Sequence, residues 1–107
     1  MDIKSAETIQ VAIFMAGDVA QAKQACREYC FEVGLCVTIE PTIYIYTGGE
    51  EEGFRIGLIN YPRFPKTLDK MQETAESLAD LLMKRLCQHS YSIVGPSETK
   101  WFSRRPA

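Results

Sequence analysis

Histidine and tryptophan are nearly absent from this chain, with one residue of each among 107. The single histidine, His89, leaves little from which to build a general base for nucleophilic catalysis. The short-spaced pairs of cysteine and histidine that mark zinc sites are also missing. The sequence therefore names no catalytic residue, and we expect neither a metal nor a cofactor.

An excess of positive charge is lacking as well. The chain has 12 Lys and Arg residues against 14 Asp and Glu residues, which gives a formal net charge of −2. A molecule with this balance lacks the positive field on which non-specific nucleic-acid binding depends. Nucleic acid is therefore not the partner that the composition favours.

No apolar run is long enough to cross a membrane, because the run VAIFMAG has about half the length that a spanning helix needs. The N-terminal segment MDIKSAETIQ carries an acid at position 2 and does not resemble an export signal. We therefore expect a cytoplasmic protein without membrane contact. In that compartment the four cysteines should stay reduced, and they are Cys26, Cys30, Cys36 and Cys87.

The composition is that of an ordinary soluble protein, with 46% hydrophobic and 24% charged residues. A chain of this length forms one domain with one core, so we predict a single domain over residues 1–107.

The first half of the chain predicts a strand, a helix and a second strand. Residues 9–16 are apolar on both faces, which is typical of a central strand. Gly17 and Asp18 follow, and Asp18 is a good N-cap for a helix that Gly34 would end. Residues 35–47 are rich in β-branched and aromatic side chains, but Pro41 in their middle favours a sheet edge.

The second half predicts a strand, a long helix and a last strand. Residues 54–61 form a hairpin with the strand before them, with the acidic stretch GGEEEG as a long tip. A regular apolar stripe predicts a helix from Leu68 to His89. The stretches YSIVG and TKWFS predict one final strand, kinked at Gly95 and Pro96.

This order of elements predicts an α+β, two-layer βαββαβ sandwich of the ferredoxin-like type. Its sheet would have four antiparallel strands, with both helices on one face.

The motif NYPRFP, residues 60–65, joins the third strand to the second helix. Structurally, Pro62 and Pro65 stop the strand and fix the chain just before the helix. Functionally, a loop stiffened by two prolines presents Tyr61, Arg63 and Phe64 to a partner with little entropy left to lose. Both interpretations stay open.

Apolar side chains exceed what two helices and four strands can cover. Leu81, Met83 and Cys87 lie outside the stripe of the second helix, and Phe31 lies outside that of the first. Tyr44, Tyr46 and Trp101 add aromatic surface on the sheet. Such a surplus favours a self-association or partner interface.

The stretches CREYCFEVGLCVT and YIYTGGEEEGFRIGLINYPRFP are similar to those of short uncharacterised proteins carried in bacterial and phage or prophage genomes. This resemblance covers about the first two thirds of the chain and implies no assigned activity. It favours an accessory protein over a metabolic enzyme.

The leading hypothesis is a non-enzymatic interaction protein, a homodimer or higher oligomer, that binds an unidentified protein. Its expected binding surface comprises Tyr44, Tyr46, Tyr61, Arg63, Phe64 and Trp101. The alternative is a small-ligand sensor that binds a nucleotide or amino acid around Gly17 and Asp18. A third hypothesis is an RNA-binding sheet surface that stacks bases on Tyr44 and Tyr46.

Overall fold

The computed structural model describes residues 1–105. The strands are β1 (Gln10–Ala16), β2 (Thr38–Tyr46), β3 (Gly49–Ile59), β4 (Ser90–Val94) and β5 (Thr99–Ser103). The helices are α1 (Val19–Val33) and α2 (Leu68–Arg85). All strands join one antiparallel sheet in the order β2-β3-β1-β4-β5. The predicted α+β class, with two helices and an antiparallel sheet, is confirmed.

The predicted four-stranded ferredoxin-like sheet is wrong in its strand number, because the sheet has five strands. The amide of Gly95 donates to the carbonyl of Glu98 at 2.9 Å, which closes a turn that contains Pro96. The chain therefore folds back at the point where a kink was expected. As a result, YSIVG and TKWFS pair with each other, with Tyr91 opposite Phe102.

Local signals in the sequence position α1 as predicted. The Asp18 carboxylate accepts a hydrogen bond from the Ala20 amide at 2.9 Å and caps the first turn. Gly34 ends the helix with a left-handed φ of 70°. Pro41 lies on β2, an edge of the sheet, where a missing amide donor costs no ladder bond.

The second helix is shorter than predicted and ends at Arg85 rather than at His89. Cys87 takes a positive φ of 55°, which directs the chain away from the helix axis. The Gln88 amide then donates back to the Met83 carbonyl at 2.9 Å. His89 consequently precedes β4 instead of closing α2.

The core lies between the helices and one face of the sheet. Its largest fully buried side chains include Ile13 and Met15 of β1, Phe54 and Ile56 of β3, and Leu78 and Leu82 of α2. Met83 was expected at the surface but is buried at 6% exposure. The cause is that α2 packs against α1 as well as against the sheet, which widens its buried stripe.

Strands β2 and β3 extend beyond β1 as a two-stranded arm, here called the β2–β3 arm. It begins at the residue pair Ile43 and Glu52 and ends at the pair Tyr46 and Gly49. The predicted long acidic tip is wrong, since only Thr47 and Gly48 lie between the strands. The three glutamates are strand residues and therefore alternate between the two faces of the arm. Glu51 is opposite Tyr44, whereas Glu50 is opposite Ile45.

Candidate functional site

The sheet face opposite the helices, here called the open face, carries a row of aromatic and polar side chains. Cross-strand pairing places Arg55 beside Phe14, Phe14 beside Ser92, and Ser92 beside Trp101. The Arg55 guanidinium lies 5.7 Å from the centre of the Phe14 ring and forms an ion pair with Glu40 at 3.6 Å. Trp101 is 67% exposed, so its indole ring is available to a ligand.

A concavity of about 260 Å³, here called the sheet hollow, lies next to this row on the side toward the arm. Small residues form part of this region, since Gly53 pairs with Ala16 and Ser90 pairs with Ser103. The residues lining the hollow include Phe14, Tyr44, Glu51, Ser90, Trp101 and Arg105. Aromatic rings, hydroxyls and both signs of charge therefore meet at one place.

Tyr44 is held firmly in the wall of the sheet hollow. Its hydroxyl donates a hydrogen bond of 2.7 Å to the Phe54 carbonyl oxygen. Its ring packs against Gly53, where a Cβ atom would lie only 2.5 Å from the Tyr44 ring and 2.3 Å from the Met15 carbonyl oxygen. Burial, together with the nearby Glu51 charge, raises the pKa of the Tyr44 phenol. Tyr44 is therefore a fixed, neutral wall at physiological pH.

A larger cleft of about 790 Å³, here called the loop cleft, lies where the NYPRFP loop meets the end of α1. Its walls are mainly apolar and include Val33, Leu35, Ile59 and Met71. The Cys36 thiol donates to the Tyr61 hydroxyl at 3.4 Å. This hydrogen bond is the larger cause, and burial the smaller one, of a raised pKa for the Tyr61 phenol. The charged residues of the lining are Arg63 and Lys66, and no acid takes part.

The structure places the predicted binding residues in two regions rather than in one surface. Tyr44 and Trp101 line the sheet hollow, and Tyr61, Arg63 and Phe64 line the loop cleft. Tyr46, on the β2–β3 arm, lines neither of them. The two concavities lie toward opposite ends of β3, about 20 Å apart at the rise of a strand.

Gly17 and Asp18 stand at the end of β1, close to the sheet hollow but outside its lining. The Gly17 amide donates to the Glu52 carbonyl at 3.0 Å. A Cβ atom on Gly17 would lie 3.5 Å from the side-chain nitrogen of Gln88, which does line the hollow. The Asp18 carboxylate is used in capping α1.

Glu51, Ser90 and Arg105 were not among the predicted site residues. The sequence did contain a signal for Glu51, because Tyr44 and Tyr46 share one strand face and a tight turn would align Glu51 with them. For Ser90 and Arg105 there was no such signal, because the pairing of β4 with β5 brings them to this place.

Among residues 1–105, no three His, Cys, Asp or Glu side chains are grouped as a metal site requires. In the same part of the chain, no helix has the length and apolar character needed to cross a membrane.

Comparison with known proteins relates this fold to two solved structures. One is described as a phage SAM lyase in the apo state, with a TM-score of 0.75, 9% sequence identity, and coverage of 100% of this chain and 98% of that one. The other is described as a phage SAM lyase in complex with S-methyl-5′-thioadenosine, with a TM-score of 0.63, 10% identity, and coverage of 96% and 95%. No protein-family model and no curated protein sequence matches the chain.

These comparisons establish the fold, and the phage source of both structures agrees with the resemblance noted in the sequence. The expected non-enzymatic interaction protein is wrong, because the two solved structures that match this fold are described as lyases. The alternative hypothesis of a small-ligand module agrees better with these findings.

Proposed function

We propose that this protein binds S-adenosylmethionine in the sheet hollow and cleaves it as a lyase. The fold shared with two SAM lyases supports the activity. The substrate joins a nucleoside to an amino acid, so it belongs to the ligand class of the small-ligand hypothesis. The proposed position is on the open face, next to Gly17 and Asp18 rather than at them.

The observation that carries the proposal is the combination of Glu51 with Tyr44 and Trp101 in one concavity. The sulfonium sulfur of S-adenosylmethionine is a cation, and cations bind to carboxylates and to the faces of aromatic rings. The loop cleft is larger, but its charged residues are Arg63 and Lys66, which repel a sulfonium. Charge therefore favours the sheet hollow.

Three residues of the sheet hollow have a part in this proposal. Trp101, which is exposed and aromatic, stacks on the adenine ring. Glu51 faces the sulfonium, and Arg105 provides a positive charge for the carboxylate of the methionine group. The volume of about 260 Å³ is slightly below that of common ligand sites, so the ligand is held on the face with one side open.

The bond that breaks follows from the proposed product, S-methyl-5′-thioadenosine. Release of S-methyl-5′-thioadenosine breaks the bond between the sulfur and Cγ of the methionine group, and the electron pair of that bond stays on the sulfur. A lyase adds no water, so Cγ bonds to the substrate's own carboxylate, or Cβ loses a proton and a double bond forms. The first route needs no protein base. The contribution of the hollow is then to orient the substrate, with its carboxylate held for attack on Cγ.

The test is the conversion of S-adenosylmethionine by the purified protein, with products identified by liquid chromatography and mass spectrometry. We expect S-methyl-5′-thioadenosine together with a four-carbon amino acid product that has gained no water. Glu51→Gln should lower kcat/KM roughly 10–100-fold, which corresponds to about 1.4–2.8 kcal/mol and lies below the charge attraction of about 4 kcal/mol for opposite charges about 4 Å apart near a protein surface.

Glu50→Gln is the matched control, because Glu50 has the same charge but lies on the other face of the arm, opposite Ile45. This variant should retain the wild-type rate. If S-adenosylmethionine is left intact by the wild type at high enzyme concentration, the lyase proposal is wrong. Equal losses in the two variants would refute the assignment of Glu51.

A further inference from the structure

We propose that the loop cleft is a second ligand site, distinct from the sheet hollow, and that it binds a small apolar carboxylate. The occupant is a monocarboxylate with an aliphatic or aryl body. Its body would lie on the apolar walls and its carboxylate at the two cations of the lining. This site adds to the proposed lyase activity and does not depend on it.

The loop that forms one wall is rigid, which favours binding over a transient surface groove. The Asn60 side chain donates to the Glu7 carbonyl at 2.9 Å and accepts from the Lys66 amide at 2.8 Å. The backbone N–H of Asn60 donates to the Ile9 carbonyl at 3.0 Å, and the backbone N–H of Phe64 donates to the Tyr61 carbonyl at 2.9 Å. Little conformational freedom remains to be lost when a ligand binds.

The walls expose apolar side chains to solvent within a concavity. Val33 is 52% exposed, Ile59 is 46% exposed and Phe64 is 67% exposed, and all of them line the cleft. Single exposed apolar residues are common on protein surfaces, whereas several around one cleft mark a binding site. The volume of about 790 Å³ lies within the range of small-molecule sites.

The charges of the lining determine the sign of the ligand. Arg63 and Lys66 are its charged residues, and neither of them takes part in an ion pair within residues 1–105. The Arg63 guanidinium lies 5.4 Å from the centre of the Phe64 ring, which holds it beside the apolar wall. A guanidinium fork matches the planar geometry of a carboxylate. A ligand with an apolar body and one carboxylate end therefore matches both the apolar walls and the two cations of the cleft.

The experiment is a calorimetric titration of the intact protein with octanoate, octan-1-ol and octylamine, which share a chain length and differ in charge. We expect saturable binding of octanoate, at least tenfold tighter than that of the neutral alcohol, and no binding of the amine. The Arg63→Gln, Lys66→Gln double variant should lose most of this preference. Both residues are solvent-accessible, and circular dichroism verifies that the variant is folded.

Lys84→Gln is the matched control, since Lys84 is an exposed cation on α2 outside the cleft lining, and it should bind octanoate as the wild type does. Added S-methyl-5′-thioadenosine should not compete, because the sheet hollow lies toward the other end of the sheet. Equal affinities for octanoate and octan-1-ol, or an unchanged preference in the double variant, would overturn the proposal. An absence of octanoate binding up to millimolar concentration would overturn it as well.

Discussion

Replacing Gly53 with alanine tests whether the contact between β1, β3 and the Tyr44 ring supports the site. An added Cβ would lie 2.3 Å from the Met15 carbonyl oxygen and 2.8 Å from the Ala16 Cα, both of which are backbone atoms. Neither can move away by a simple rotation, so β1 and β3 must separate locally. The same Cβ would displace the Tyr44 ring, which lies 2.5 Å away.

Overpacking of this kind costs about 1–3 kcal/mol of unfolding free energy. For a domain of this size, we expect the melting temperature to fall by roughly 5–20 °C. Circular dichroism at 222 nm is the assay for the thermal transition. The rate of S-adenosylmethionine cleavage, measured well below the lowered transition, should fall too, because Tyr44 is moved from the wall of the hollow.

Gly57→Ala is the comparison, since it introduces the same methyl group in the same strand. There the Cβ would meet the Thr38 hydroxyl oxygen at 2.5 Å, and a side-chain end can rotate away. The loss of chain entropy in the unfolded state offsets part of the cost, so we expect a change within about 1 kcal/mol. Equal melting temperatures for the two variants would refute the reasoning about close backbone approach at Gly53.

Three more predictions follow from individual contacts. Burial raises the pKa of the Cys26 thiol to about 11, so at pH 8 a thiol reagent should modify the exposed Cys36 and leave Cys26 protected until the protein unfolds. Because the folded state raises this pKa, the contribution of Cys26 to stability is fully present below the ordinary thiol pKa of 9.0 and is lost as the pH rises through 11. The melting temperature should therefore fall between pH 9 and 11, and it should fall less steeply in Cys26→Ala. Tyr91→Phe removes the 2.7 Å hydrogen bond to the Asp80 carboxylate and should cost about 1–2 kcal/mol in chemical denaturation.

The sequence predicted those elements whose limits are set by local chemistry. Asp18 and Gly34 mark the ends of α1 because an N-cap and a left-handed stop act within a few residues. Pro41 indicated an edge strand because proline lacks an amide donor.

Two of the errors concern strand pairing and packing between elements. The turn at Gly95 pairs β4 with a fifth strand, and contact with both α1 and the sheet buries Met83. Neither effect is visible in the periodicity of one segment. For the same reason the sequence named Tyr44 and Trp101 but missed Arg105, which reaches the sheet hollow only through the last strand pair.

Self-association stays a prediction, as does a cytoplasmic location. The β2–β3 arm leaves Ile45 81% exposed, and Trp101 stands free on the open face. Light scattering at several protein concentrations tests self-association. A mass equal to that of one chain at every concentration would contradict it.

Trp101 allows the central claim to be measured directly, since it is the only tryptophan in the chain and lines the sheet hollow. With excitation confined to tryptophan, titration with S-methyl-5′-thioadenosine should change its emission to saturation. Glu51→Gln should leave this titration nearly unchanged, because the thioether is neutral, while weakening the response to S-adenosylmethionine. If calorimetry shows that S-methyl-5′-thioadenosine binds while Trp101 emission stays constant, the ligand lies elsewhere and the account of the open face is wrong.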